Sequence, residues 1–362
     1  MPITLKDIAD RTGVSPSVVS TVLSGRDNGT FVSKETRERV LQVARALNYT
    51  PVRSGRPRGS RRLRRQRVEQ FIGVWIPEND PSAMHMLQAL QGALTKYAAE
   101  HAPSQGEEFD YGFRLLAEDD LPRLDMLGVM GLIVLGDIAL PRTAAAATTP
   151  TVLIGEVDQL PREVVTVHLD NFTAGREIGS HLWDLGHRRV AFVAPNYKPR
   201  VTRQRWQGIQ SVWVDHAAPA DSCLPAPYDL LADGSLSEQV SKAVSALFAP
   251  GSAESNRPTA IACFNEHVAS YTLRTLQSLG LRVPQDISLV AFGDTPFGAE
   301  AMAPALTTIR PPVGQLATTA IAQLYSLHRE ADQERPALAA DQRRDIVFAG
   351  ELVVRASSQA VD

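Results

Sequence analysis

Beyond residue 70, short apolar runs and longer amphipathic segments follow one another in turn. The runs are "FIGVWIP" (71–77), "GFRLLAE" (112–118), "GLIVLG" (131–136), "TVLIGEV" (151–157), "RVAFVAP" (189–195), "TAIACFN" (259–265) and "ISLVAFGD" (287–294). Each has the length and near-continuous apolarity of a strand buried on both faces. Helical periodicity fits 82–101, 172–186, 199–216, 235–248, 266–279 and 313–328, between most of those runs. Strand–helix alternation predicts an α/β fold whose parallel sheets are covered by helices. Neither standard Gly-rich phosphate loop occurs there, nor a paired-His helix, nor a nucleophile elbow. An enzyme is therefore the weaker reading, and no metal or cofactor is expected.

The first fifty residues follow another pattern. Thr4 is a good N-cap, and Leu5, Ile8 and Ala9 share one face of a first helix. Gly13 supplies a permissive turn, Ser15 caps a second helix with Pro16 at its first position, and Val18, Val19, Val22 and Leu23 give that helix an apolar stripe. A third helix opens near Ser33 with Glu35 and Glu38 in its first turns, buries Val40, Leu41, Val43, Ala44 and Leu47, and stops before Pro51. Helix, short Gly turn, helix is the spacing of a DNA reader whose second helix enters the major groove N-terminus first. Pro16, Ser17 and Thr21 are its expected exposed readers, with Thr4, Ser15 and Ser20 completing the DNA-facing set. The alternative is that they are solvent-facing residues of a small helical bundle.

Charge divides the chain at the same place. Residues 1–67 hold 15 Lys and Arg against 5 Asp and Glu, a net +10, so the formal total of -3 leaves -13 for the rest. Eight arginines and no acid lie in "PVRSGRPRGSRRLRRQR", 51–67. A basic end on an acidic body fits polyphosphate binding, with an exposed linker as the bland alternative. Cys223 and Cys263, the only two cysteines, read as buried apolar residues rather than a disulfide framework. No run approaches the ~20 apolar residues of a membrane span, and the N-terminus lacks a signal-peptide core, so a cytoplasmic protein is expected.

"TLKDIADRTGVSPSVVSTVLSG" followed by "VSKETRERVLQVARALNYTP" closely resembles the DNA-binding domain of the LacI/GalR family of bacterial transcription regulators. Val18 stands where many members carry Thr, Thr21 where many carry Arg, and "GRDNGTF" lengthens the loop before Val32. "HLDNFTAGREIGSHLWDLGHRRVAFVAP", "RVTRQRWQGI" and "PALTTIRPPVGQLATTAI" are similar to landmarks of the family's periplasmic-binding-protein-like core. The resemblance implies a helix-turn-helix domain at 1–50, a hinge at 51–70, one core lobe from 71–166 with 297–326, and a second from 167–296 with 327–362.

It further implies a homodimer on a palindromic double-stranded operator, with repression controlled by a small-molecule effector, a sugar being one class, in the cleft between lobes. Arg205 would be the cleft arginine and Asn265 a polar contact, the alternative for Arg205 being a surface ion pair. Asp170 and Asn171 would line the cleft or cap the following helix. Asp80 lies near a family contact whose aromatics "NDPSAMH" lacks, and Gly293 stands at the acidic ligand position with Asp294 beside it. The apolar stripe Met84, Met86, Leu87, Leu90 and Leu94 is core or partner surface. Counting back from Ile72 aligns "SRRL" (Arg61, Arg62, Leu63) with the hinge helix and leaves "SGRPRG" as an insertion. Its Arg56 and Arg58 resemble a minor-groove arm. A transport solute-binding module shares the core but lacks a DNA-binding end, and a regulator that has lost its effector is a third possibility.

Overall fold

The computed structural model describes residues 5–24, 32–47, 69–76, 82–101, 110–136, 149–158, 164–196, 199–229, 234–249, 256–332 and 345–361. Thr4, Asp80 and the basic stretch with Arg56, Arg58, Arg61, Arg62 and Leu63 lie outside the described residues. The chain divides into two compact units, residues 1–65 and 66–362.

The first unit holds α1 (Leu5–Thr12), α2 (Pro16–Ser24) and α3 (Lys34–Ala46). Gly13 ends α1 in the left-handed region, at φ 70°, and its N–H donates to the Ala9 carbonyl at 2.9 Å. The hydroxyl of Ser15 accepts from Val18 N–H at 3.4 Å and starts α2, while Ser33 accepts from Thr36 N–H at 3.2 Å and starts α3. Ile8, Ala9, Val19, Val22, Val40 and Ala44 form the core, two residues from each helix.

The second unit contains two parallel-dominated sheets. In chain order its elements are β1 (Glu69–Trp75), α4 (Ser82–His101), β2 (Asp110–Leu116), a 3-10 segment (Glu118–Met126), β3 (Val129–Leu135), β4 (Thr151–Ile154), β5 (Val165–Leu169), α5 (Asn171–Asp184), β6 (Val190–Pro195), α6 (Pro199–Asp215), β7 (Cys223–Tyr228), α7 (Leu236–Leu247), β8 (Ala260–Cys263), α8 (Glu266–Ser278), β9 (Ser288–Phe292), β10 (Thr307–Arg310), α9 (Val313–Asp332), β11 (Asp345–Phe348) and β12 (Glu351–Val353). The first sheet runs β11-β5-β4-β3-β1-β2, the second β12-β10-β9-β8-β6-β7. Among the described pairs only β10 with β12 is antiparallel. All seven apolar runs are strands, as expected.

The lobe boundaries differ from those expected. β5 completes the first sheet, β10 belongs to the second, and β11 returns to the first, so the chain crosses near 170, 311 and 349 rather than near 166, 296 and 326. These short strands escape a reading based on apolar runs. "TTIR" is mostly threonine and arginine, and β11 is a half-exposed edge strand. In α4, Leu90 and Leu94 are core packed with Leu324 and Tyr325 of α9, whereas Met84 is exposed.

Two helices of the second lobe pack unusually close. A methyl group on Gly175 of α5 would overlap the Arg205 backbone on α6, and one on Gly208 of α6 would overlap the Phe172 carbonyl on α5. Glycine permits that approach, and it fixes where Arg205 sits. Just after α5, buried His187 bonds Thr259 and Ser288, both at 2.9 Å, and burial pushes its pKa down to about 4. Burial pushes the Cys223 and Cys263 thiols up to about 12, so both remain protonated packing groups.

Candidate functional sites

The N-terminus of α2 is the open edge of the first unit. Ser15, Pro16, Ser17 and Ser20 are exposed, and the Ser15 and Ser17 hydroxyls lie 2.8 Å apart. Because Val19 and Val22 face the core, these polar positions are turned outward by helical periodicity. Thr21 is a correction to the sequence reading. It is buried, and its hydroxyl donates to the Ser17 carbonyl one turn back at 3.0 Å. A short β-branched side chain reaches no farther than its own helix, so it does not project as a longer residue would.

In the second unit, polar residues gather where strands end. Asp170 caps α5, accepting from Thr173 N–H at 2.9 Å and from the Thr173 hydroxyl at 2.7 Å. Asn171 is buried, and its amide donates to Glu156 at 3.0 Å and to the Leu169 carbonyl at 3.2 Å. The Asn171 oxygen accepts from Arg205 Nε at 2.9 Å, and Arg205 Nη1 donates to the Phe264 carbonyl at 2.6 Å. The guanidinium lies over the rings of Phe264 and Phe292, at 4.7 and 4.4 Å. Asn265 caps α8 by accepting from Val268 N–H at 2.9 Å. Arg205, Asn171 and the end of β8 are thus joined into one network, with Asn265 the next residue along.

Asp294 stands differently. Its carboxylate accepts from Arg310 at 2.7 Å and from Arg355 at 2.8 and 3.0 Å, with a side chain only 5% exposed. Both oxygens tie the crossover strands of the second lobe together rather than facing an open cleft. Gly293, at φ 94°, offers no side chain. Three participants were not anticipated: Glu156, Arg200 and Glu266. The Glu156 signal was an acid two residues after a fully buried four-residue strand, where solvation alone does not explain it. Glu266 accepts from Thr295 N–H at 3.0 Å and from the Thr295 hydroxyl, pinning the loop after β9.

Known proteins match both units. Residues 4–52 match the model of bacterial regulatory proteins of the lacI family, and residues 180–358 match a periplasmic binding protein-like domain. A relative from Streptomyces limosus, an uncharacterized HTH-type transcriptional regulator in the aml 5'region, is 32% identical over 98% of this chain and 94% of its own. The chain belongs to the lacI family of bacterial regulatory proteins. The regulator is also 27% identical to the HTH-type transcriptional repressor PurR of Aliivibrio fischeri strain MJ11, over 92% of this chain and 94% of that one.

The fold of the regulator is shared with a transcriptional regulator CelR–cellobiose complex, at TM-score 0.62 and 23% identity over 98% and 99% of the two chains. It is also shared with the lac repressor dimer bound to operator and the anti-inducer ONPF, at TM-score 0.57 and 23% identity over 99% and 100%. The regulator is therefore a DNA-binding transcription regulator by family. No helix among its described residues is long and apolar enough to cross a membrane.

Proposed function

We propose that the regulator is a cytoplasmic, non-enzymatic repressor that binds a palindromic operator as a homodimer, with a small-molecule effector in the cleft between its lobes. The observation that carries the DNA half is the exposed Ser15, Pro16, Ser17 and Ser20 edge of α2 on a three-helix core. One such helix buries little DNA, and two related by symmetry read a two-fold site. Arg56, Arg58, Arg61, Arg62 and Leu63 supply the hinge and minor-groove contacts, with Thr4 at the backbone. The effector half rests on the strand-end gathering of Asp170, Asn171, Arg205 and Asn265, the place where open parallel sheets take ligands. Cellobiose in the CelR complex and ribose in a relative from Enterococcus faecium make a sugar or sugar derivative the first class to test.

Selection of bound sequences from a randomised operator separates the α2 residues. Ser17→Ala should relax base preference at one position of each half-site, by about 1–3 kcal/mol where the hydroxyl meets a base edge. Thr21→Ala, losing a hydroxyl already committed to Ser17, should leave every base preference within about 0.5 kcal/mol of wild type. A uniform loss on all sequences for Ser17→Ala would mean that it touches phosphate only. A preference change for Thr21→Ala would return that residue to the reading head.

A further inference from the structure

The loop after β4 belongs to the first lobe, yet its polar groups are held by the second. Glu156, with a side chain 2% exposed, places one carboxylate oxygen 2.8 Å from Arg200 Nε and accepts from the Asn171 amide at 3.0 Å through the other. Arg200 also donates to the Val157 carbonyl at 2.9 Å, and Arg203 donates to Asp158 at 3.0 Å. Arg200 stands in the first turn of α6, where the partial positive charge of a helix end disfavours a cation. An anion is therefore favoured at that spot, and the buried Glu156 is compensated by charge pairing with Arg200 at one oxygen and by the Asn171 amide hydrogen bond at the other. Asn171 passes the contact on to Arg205 and thence to the end of β8.

A flat, two-oxygen acid thus sits between a guanidinium and an amide at the carboxyl ends of the strands. We infer that Glu156 is a tethered ligand: it fills a carboxylate seat in the cleft and holds the lobes together. The effector of this cleft is then a small molecule bearing a free carboxylate, which competes with Glu156 for Arg200 and Asn171. The identification of an effector rests on the cleft reading proposed above; the seat itself does not. A tethered group acts at an effective concentration in the millimolar range, so a bare carboxylate cannot displace it, whereas an acid with further contacts can.

The test uses the full chain with Glu156→Ala and acetate as the probe. The variant should lose about 4 °C or more in Tm, and acetate should restore the loss saturably while chloride at equal ionic strength does not. Wild type should respond to acetate no more than to chloride, and adding Arg200→Gln to Glu156→Ala should abolish the rescue. Should the alanine variant fail to fold, Glu156→Gln keeps the volume and competes more weakly than the native acid, so acetate should raise its Tm beyond chloride. Equal responses to acetate and chloride in the folded variant would overturn the seat. Acetate rescue with no accompanying change in operator affinity would support the seat and overturn the cleft as a control site.

Discussion

Gly208→Ala should destabilise the second lobe by about 2 kcal/mol or more, lowering Tm by roughly 4–8 °C. Helix propensity alone predicts the opposite, since Ala in place of Gly inside a helix gains about 1 kcal/mol. The added methyl, however, would overlap the Phe172 carbonyl and crowd the Arg176 amide of α5, both backbone groups that no rotamer change can move. Either α5 and α6 separate or the backbone strains, and overpacking of this kind costs about 1–3 kcal/mol, occasionally more. Separation would also pull Arg205 from Asn171, whose present spacing is 2.9 Å. Gly92→Ala, at an exposed position of α4, is the control, because a methyl there meets nothing within 4 Å. It should raise stability by up to about 1 kcal/mol. Calorimetry of the two variants should therefore give shifts of opposite sign, and shifts of the same sign would refute the close packing of α5 on α6.

Deleting "SGRPRG", Ser54–Gly59, should lower the slope of log affinity against log salt by up to roughly 2, because Arg56 and Arg58 leave and each phosphate contact carries ~0.9. A minor-groove arm predicts a second effect. The deletion should erase a preference for A·T pairs beside the operator centre, since those pairs narrow the groove and strengthen its negative potential. A solvated spacer predicts neither, its charge being screened within ~8 Å at physiological salt. Affinity at three salt concentrations, on A·T-flanked and G·C-flanked sites, distinguishes the two. Parallel salt curves without flank dependence would reduce the stretch to a spacer.

The sequence carried the three N-terminal helices because caps and apolar spacing agree locally: Ser15 with Pro16, Gly13 in the turn, and the valines of α2. It carried the central strands because parallel strands covered on both faces are continuously apolar, as in "GLIVLG". It did not carry β10 or β11, whose residues are threonine-rich or half-exposed, and the sheet membership of these two strands sets the lobe crossings. The strand-end gathering was legible as a place, through "DN", "RQRW" and "CFN", but not as a set of partners. Asp294 meets Arg310 and Arg355, 16 and 61 residues away, and Glu156 meets Arg200, 44 residues away; no local pattern pairs groups across such distances. Thr21 was not legible because its polar type suggests an outward group, whereas the side chain is buried and its hydroxyl bonds back to the Ser17 carbonyl.

The central claim is that two copies of α2 read a symmetric DNA site. Incubating the full chain with sheared genomic DNA of its source, recovering the bound fragments and sequencing them tests it directly. The account predicts one enriched motif with two-fold symmetry, its half-sites about one helical turn apart, centre to centre, or a multiple of that. Ser17→Ala should weaken the preference at the same position in both halves. Enrichment of fragments without a shared motif, or of a motif lacking two-fold symmetry, would contradict it.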